Sequence, residues 1–325
     1  MGWFETRMRG LVGRALRTMG LIGLSALVVA CGGGSGAIEP FRPTRMMVVG
    51  DELSLLRPDG TKYTVNALLA GTTNIDCVTH PLWVQAVATA FGLNFAACNP
   101  NSGTVSAEMH AQAGAKSSDA AAQIERVLAA GAFGDKQIMT VYFGLNDILE
   151  LYAQYPAKSA DALKAEIRQR GVVLGQQVNR VALAGPAVLL VTAPDLGLSP
   201  FGVAQTAAYP TETTPTRAKF LSELTDAFNA GLRVTIINDG RLIGLVSSDQ
   251  MVRDIQPPLM SFYGYANLTD TLCPADQPVT TCTTAGLVSG GDPLTWGYAT
   301  STLFSPALQT RLGQIAASRA VRNPF

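Results

Sequence analysis

Histidine is nearly absent from this sequence. Of 325 residues only His80 and His110 are histidine, and none follows position 110. Two imidazoles without cysteines or carboxylates at ligand spacing give no metal signature, and we expect neither a metal nor a cofactor. Any reaction that needs an imidazole from residues 111–325 is excluded.

An excess of charge of one sign is lacking as well. Lys and Arg together number 24, as do Asp and Glu, so the formal net charge is zero. A surface for nucleic acid needs clustered basic residues, and we therefore expect no nucleic-acid partner. No internal repeat or heptad run occurs. With 47% hydrophobic residues, the chain can form a large core within the size range of a single domain.

Long apolar runs are missing too. The longest candidate, from Leu21 to Ala30, follows a segment with four arginines and is shorter than the roughly 20 residues that span a bilayer. This pattern predicts an export signal over residues 1–30.

The end of that signal, Val28-Val29-Ala30-Cys31, resembles a bacterial lipobox. The resemblance implies that Cys31 is acylated and anchors the protein to a membrane. Residues 31–44 then form a flexible, Gly-rich tether. Gly32 is not the aspartate associated with inner-membrane retention, so we expect the bacterial outer membrane. The alternative is an ordinary signal peptide with a chance cysteine.

Strand-like apolar runs alternate with helical patterns over residues 45–325, which predicts an α/β domain. We expect a single domain in three layers, with a doubly wound, mostly parallel sheet of about five strands. The predicted strands are Arg45 to Val49, Asn94 to Ala97, Gln137 to Phe143, Ala187 to Thr192 and Leu242 to Val246. Helices are predicted from Ser118 to near Gly131, after Thr214-Pro215 and after Ser305-Pro306.

The segment Gly50-Asp51-Glu52-Leu53-Ser54 directly follows the first predicted strand. It resembles the opening block of the GDSL (SGNH) esterase and lipase family, in which the third residue is a nucleophilic serine. Further blocks follow in the family's order: Met109 to Lys116, Gly144 to Asp147, Ala193 to Pro200, Leu224 to Leu232 and Thr300 to Gln309. The resemblance implies a flavodoxin-like fold and an oxyanion hole formed by Gly114, Asn146 and the amide of residue 52.

The three catalytic positions of that family are all replaced. Glu52 stands at the serine, Thr300 at the aspartate and Leu303 at the histidine. A serine hydroxyl needs an imidazole to take its proton and a carboxylate to orient the imidazole. We therefore expect a non-catalytic protein of the cell envelope that binds a ligand, such as an acyl or ester small molecule, or serves as a scaffold. The alternative is an active carboxylic-ester hydrolase with a rebuilt site.

Glu52 has three interpretations. Its carboxylate would lie at the start of a helix, where free amides favour an anion, and it would fill the oxyanion hole itself. Alternatively it is solvated or paired with a cation. In the third interpretation it is a general base that activates water, which requires a raised pKa.

Other polar residues suit structural roles better. We expect His80 in a partly exposed loop, His110 in packing, Ser54 bonded to the backbone, Asp292 in a turn, and Asp51 and Asp147 holding loops. The segments from Leu198 to Tyr209 and from Met260 to Tyr265 are predicted as loops, and the family resemblance implies that they wall a pocket for an acyl or aryl group. The alternative is that they simply pack. The sequence identifies no protein partner.

Four cysteines remain after Cys31: Cys77, Cys98, Cys273 and Cys282. In an oxidising compartment they predict two disulfides, although four cysteines allow three pairings. We favour Cys77 with Cys98 and Cys273 with Cys282, because the second pair brackets a Pro-rich excursion that members of the resembling family also cross-link. Free buried thiols are the alternative.

Overall fold

The computed structural model describes residues 41–322. Residues 1–40, on which the signal, Cys31 and most of the tether fall, lie outside the described residues. The strands are β1 Arg45–Gly50, β2 Ala67–Leu68, β3 Ile75–Asp76, β4 Asn94–Phe95, β5 Val105–Met109, β6 Gln137–Tyr142, β7 Ala187–Val191, β8 Ile243–Val246, β9 Asn267–Thr271 and β10 Trp296–Tyr298. The helices are α1 Trp83–Ala90, α2 Ala120–Ala130, α3 Leu145–Tyr152, α4 Ala160–Leu183, α5 Pro200–Ala208, α6 Arg217–Thr235, α7 Ser248–Asp254 and α8 Pro306–Ala320.

Six strands form the main sheet in the order β4-β5-β1-β6-β7-β8, and all their pairings are parallel. The predicted doubly wound α/β fold is confirmed. Strand β1 explains why the sequence signal was clear: Met46, Met47, Val48 and Val49 are completely buried, because a central parallel strand is covered on both faces.

The prediction of about five strands missed β5. Its sequence, Val-Ser-Ala-Glu-Met, mixes polar and apolar residues and lacks a buried strand's apolar run. The strand forms because Met46 to Val48 of β1 pair with Ala107 to Met109. The predicted strand from Asn94 to Ala97 is shorter than expected and ends at Phe95, because only Asn94 and Phe95 find partners on β5.

The helix boundaries follow their caps. Helix α2 ends before Gly131, and Ser305 caps α8 by accepting from the amides of Ala307 and Leu308. Thr216, not Thr214, caps α6. The segment from Leu198 to Tyr209 is not a loop as predicted, because Ser199 caps a helix that begins at Pro200.

Helices α4 and α6 approach each other unusually closely. A Cβ placed on Gly171 of α4 would lie 2.1 Å from the backbone oxygen of Phe228, and one on Gly231 of α6 would lie 2.1 Å from that of Arg168. Both distances are far below van der Waals contact. Glycine therefore sets the spacing of this helix pair.

Both predicted disulfides are present. Cys77 is bonded to Cys98, with 21 residues of sequence separation, and Cys273 to Cys282, with a separation of nine. The pairing inferred from the family resemblance is confirmed. In the part of the chain that the structure describes, no helix is long and apolar enough to cross a membrane.

Candidate functional site

The sheet order brings three loops to one edge. Strands β5-β1-β6-β7-β8 follow the order 2-1-3-4-5 of doubly wound sheets, in which ligands bind beyond the carboxyl ends of the strands where the order reverses. Glu52 follows β1, Gly114 follows β5 and Asn146 follows β6. The sequence blocks that predicted a site therefore meet at the topological switch point.

A tight turn presents Glu52. Residues Glu52 to Ser54 form a single 3-10 turn, capped by Asp51, whose Oδ1 accepts from the amide of Leu53 at 3.0 Å. Gly50 is required before it: the φ angle is +156°, and a Cβ would lie 2.5 Å from the Tyr142 carbonyl oxygen. Ser54 was predicted to bond the backbone. Its Oγ instead accepts from the indole Nε1 of Trp83 at 3.2 Å.

The Glu52 carboxylate accepts hydrogen bonds from Gly114, in the loop after β5, and from Asn146, in α3 after β6. Its Oε2 accepts from the amide nitrogen of Gly114 at 2.8 Å and from Nδ2 of Asn146 at 2.9 Å. Asn146 Nδ2 also donates to the carbonyl oxygen of Ala115 at 3.1 Å, which orients the amide. The two donors thus converge on one oxygen of the protein's own side chain. No ion pair joins Glu52 to any residue from 41 to 322.

Two buried aspartates flank this contact. Asp51 is fully buried, its Oδ2 has no hydrogen-bond partner, and burial together with the charge of Glu52 raises its pKa well above the ordinary value. Burial also raises the pKa of Asp147. Asp147 accepts from the amide and the hydroxyl of Ser117, at 2.8 and 2.7 Å. It thereby ties α3, which carries Asn146, to the segment that follows Gly114.

Thr300 and Leu303 form a turn of their own. The amide of Leu303 donates to Thr300 Oγ1 at 3.2 Å, and the amide of Ala299 donates to the Leu303 carbonyl at 2.9 Å. Leu303 is only 8% exposed and packs in the core. No hydrogen bond joins either residue to Glu52. In the described chain, Leu303 supplies apolar packing.

Helix α8 is nevertheless linked to the Glu52 turn. Gln309, fully buried, donates through Nε2 to the Leu53 carbonyl at 3.1 Å and accepts at Oε1 from the amide of Trp83 at 3.0 Å. Gln309 was not among the residues predicted to belong to the site. A glutamine one turn into an ordinary helix gives no signal of a contact more than 200 residues away.

Neither histidine reaches the site. His110 was expected in packing only, but its Nε2 lies 3.1 Å from Oε2 of Glu108, which itself binds Arg45. His80 lies in a loop as predicted, with a left-handed φ of 56°. Burial lowers its pKa, and its carbonyl accepts from the ammonium of Lys62 at 2.8 Å. Neither imidazole hydrogen-bonds Glu52.

Lys62 is a buried ionisable residue that was not predicted from the sequence. Its side chain is completely buried, and Nζ also donates to the carbonyls of Cys77 at 3.3 Å and Thr79 at 3.0 Å. Burial lowers its pKa to about 8. No sequence signal distinguishes this lysine from an exposed one. It holds the loop from Cys77 to His80 rather than the Glu52 contact.

The remaining candidates are structural. Asp292 accepts from the amide of Leu294 and the hydroxyl of Thr295, both at 2.9 Å, and closes a turn as predicted. The segment from Met260 to Tyr265 is a loop, in which Phe262 is 81% exposed. Within residues 41–322, no group of three or more His, Cys, Asp or Glu side chains is placed to hold a metal ion.

No protein-family model and no curated protein matches this chain. Among solved structures, the chain is similar to Axe2, an acetylxylan esterase from Geobacillus stearothermophilus, with a TM-score of 0.45 and 12% identity over 87% of this chain and 96% of that chain. A catalytic mutant of Axe2 is similar with a TM-score of 0.43 and 10% identity, over 86% and 95% of the two chains.

Proposed function

We propose that this chain is a non-hydrolytic ligand-binding protein that keeps the architecture of a GDSL (SGNH) esterase. The observation that carries the proposal is the Glu52 carboxylate, one oxygen of which accepts from both Gly114 and Asn146. In an esterase those donors must be free for the oxygen that becomes negative in the transition state. Here a resident carboxylate takes them.

Energetics favour the resident group over a substrate. Hydrogen bonds to a charged group contribute roughly 1.5–3 kcal/mol each, against about 0.5–1.5 kcal/mol for neutral pairs. Glu52 is also tethered, so it loses little entropy when it binds, whereas a free ester loses translational freedom. A neutral ester carbonyl therefore competes poorly for the two donors.

The chemical groups needed for acyl transfer are lacking as well. Position 52 has no hydroxyl, and position 303 offers a buried leucine in place of an imidazole. Neither His80 nor His110 hydrogen-bonds the Glu52 turn in residues 41–322. A pair of donors without a nucleophile or base gives at most a small residual rate.

The test is a hydrolysis assay with p-nitrophenyl esters from acetate to decanoate. We expect no turnover above buffer for the purified protein, and no change in Glu52→Ala or Asn146→Ala. A rate that persists equally in both variants would reveal a contaminating enzyme. Hydrolysis that disappears in Glu52→Ala would refute the proposal and make Glu52 a general base.

We also propose that the protein is a lipid-anchored component of the bacterial outer membrane. The support is the sequence Val28-Val29-Ala30-Cys31 and the Gly-rich stretch that follows. The two disulfides suit an oxidising compartment. An anchored domain of this kind would hold its ligand at the envelope instead of releasing a product.

A further inference from the structure

An apolar cavity of about 580 Å³ is lined by residues close in sequence to Glu52 and Gly114 and has no assigned role. One wall is the face of β5 formed by the alternate residues Val105, Ala107 and Met109, together with Phe95 of β4. Leu55 and Leu56 also line the cavity. Cavities of roughly 300–1,000 Å³ with mainly apolar walls are typical of small-molecule sites.

Two residues that line this cavity lie three positions in sequence from the partners in the Glu52 contact. Leu55 is three residues after Glu52, and its amide donates to the Glu52 carbonyl at 3.3 Å. Ala111, which also lines the cavity, is three residues before Gly114. The hydrogen bond between Glu52 and Gly114 therefore joins the two segments that wall the cavity.

The charge of the walls restricts what fits there. Glu108 is the one charged residue among those that line the cavity. Both of its oxygens are engaged, at 2.6 and 2.8 Å from Nε and Nη2 of Arg45. No free cation is present in the lining to pair with an anionic ligand, and Glu52 adds negative charge nearby. Burying an unpaired charge is costly, whereas apolar surface gains from burial.

We propose that this cavity binds the apolar tail of a small neutral molecule, such as an alkyl or acyl chain with an uncharged head. The inference rests on the proposed function in one respect only, namely that the protein binds and releases its ligand without hydrolysing it. Each methylene that enters the cavity strengthens binding about threefold to fourfold. An anionic head on the same tail weakens binding, because Glu52 and the paired Glu108 offer it no counter-charge.

The experiment is calorimetric titration of the full chain with 1-butanol, 1-hexanol, 1-octanol and octanoate. We expect saturable binding of one octanol, with affinity that rises along the alcohol series, and at least tenfold weaker binding of octanoate. Alcohols contain no ester bond, so this result is independent of any hydrolysis. Hydrolysis of an ester would refute the proposed function, but it would not change the expected binding of the alcohols.

Two variants locate the site. Val105, 52% exposed, and the exposed Ala96 both line the cavity, so Val105→Trp and Ala96→Trp should fold and occupy it. We expect octanol binding to weaken at least tenfold in each. Val203→Trp, at a 45% exposed position outside this cavity, is the matched control and should bind like the parent. Absence of saturable octanol binding, equal binding of octanoate, or undiminished binding in both filled variants would overturn the proposal.

Discussion

Glu52 is the residue on which the two donors converge. Its Oε2 accepts from the amide of Gly114 and from Nδ2 of Asn146. Replacing Glu52 therefore has two effects. It removes the acceptor of the two donors, and it changes the side chain that the turn presents. Substitutions at this residue need to be interpreted with both effects in mind.

Glu52→Ser alone should not create an esterase. The new hydroxyl would have no base to take its proton, and an unassisted serine is a weak nucleophile at neutral pH. The triple variant Glu52→Ser, Thr300→Asp, Leu303→His restores the residue types of the triad and should show measurable hydrolysis of p-nitrophenyl acetate. A fluorophosphonate probe should label the triple variant and not the single one.

The fold of the triple variant needs its own check. Leu303 is only 8% exposed, so an imidazole there destabilises the protein unless it finds a hydrogen-bond partner. Leu303→His alone serves as the stability control in thermal unfolding. A single variant, Glu52→Ser, that reacts with the probe as fast as the triple would contradict this account of the missing base.

Lys62 predicts an unusual pH dependence of stability. Its pKa in the folded protein is about 8, below the ordinary 10.5, so between these values the unfolded chain binds more protons than the folded one. The free energy of unfolding should therefore rise with pH over this window, by about 3 kcal/mol at most. The stability that Lys62 contributes at high pH is lost as the pH falls through its folded-state pKa of about 8. Urea unfolding at pH 7.5, 8.5 and 9.5 measures it.

The controls for Lys62 are two lysine substitutions. Lys62→Met should lower stability, because three carbonyls lose their donor, and should flatten the rise with pH. Lys219→Met, at an exposed position, should keep the rise. Above pH 10 the buried tyrosines act in the opposite direction, since burial raises the pKa of Tyr265 to about 12. An equal slope in all three proteins would contradict the assignment to Lys62.

At the scale of elements, the contact between α4 and α6 is limited by its glycines. Alanine normally stabilises a helix interior by roughly 0.5–1 kcal/mol relative to glycine. Gly171→Ala and Gly231→Ala should do the reverse and cost about 2 kcal/mol or more, because each Cβ would meet a backbone oxygen at 2.1 Å. Chemical denaturation of each variant measures the difference.

A loop glycine provides the comparison for this pair. A Cβ on Gly134 would meet only Gln137 Nε2, at 3.6 Å, so Gly134→Ala should leave stability nearly unchanged. If Gly171→Ala and Gly231→Ala were as stable as the parent, the two helices would have to be able to separate, and the close approach would not be essential to the fold.

At the scale of the whole molecule, the two disulfides should differ in effect. In the chain-entropy description a cross-link stabilises more when it closes a longer loop. Removing Cys77–Cys98, with a separation of 21, should cost about 3 kcal/mol, and removing Cys273–Cys282, with a separation of nine, about 2.5 kcal/mol. Paired Cys→Ala variants in urea unfolding test this order. A larger loss from the shorter loop would contradict the entropic account.

The proposed anchor is also a property of the whole molecule. Cys31→Ser should move the protein from the membrane fraction to the soluble fraction, because acyl chains supply most of the membrane affinity. Cell fractionation with metabolic palmitate labelling measures both changes. Membrane association that survives in Cys31→Ser after normal cleavage of the signal would argue against lipidation at this residue.

The sequence by itself determined the α/β class and five of the six strands of the main sheet, whereas the disulfide pairing was one of three that the four cysteines allow and was favoured on the family resemblance. Buried parallel strands such as β1 are recognisable in the sequence as continuous apolar runs, because both of their faces are covered. The blocks around Glu52, Gly114 and Asn146 were visible through their resemblance to the GDSL (SGNH) family, although the strand before Gly114 was not predicted. The lack of any histidine after His110 was equally visible.

Only the tertiary structure decided what these residues do. The sequence of β5 is polar enough to be interpreted as a loop. The segment forms a strand because its backbone pairs with that of β1. Lys62 is buried because three carbonyls from a distant loop surround its ammonium group. Glu52 binds its two donors because the sheet order brings the ends of β5, β1 and β6 together. Such contacts join residues far apart in the chain, and local pattern carries no information on the distances between them.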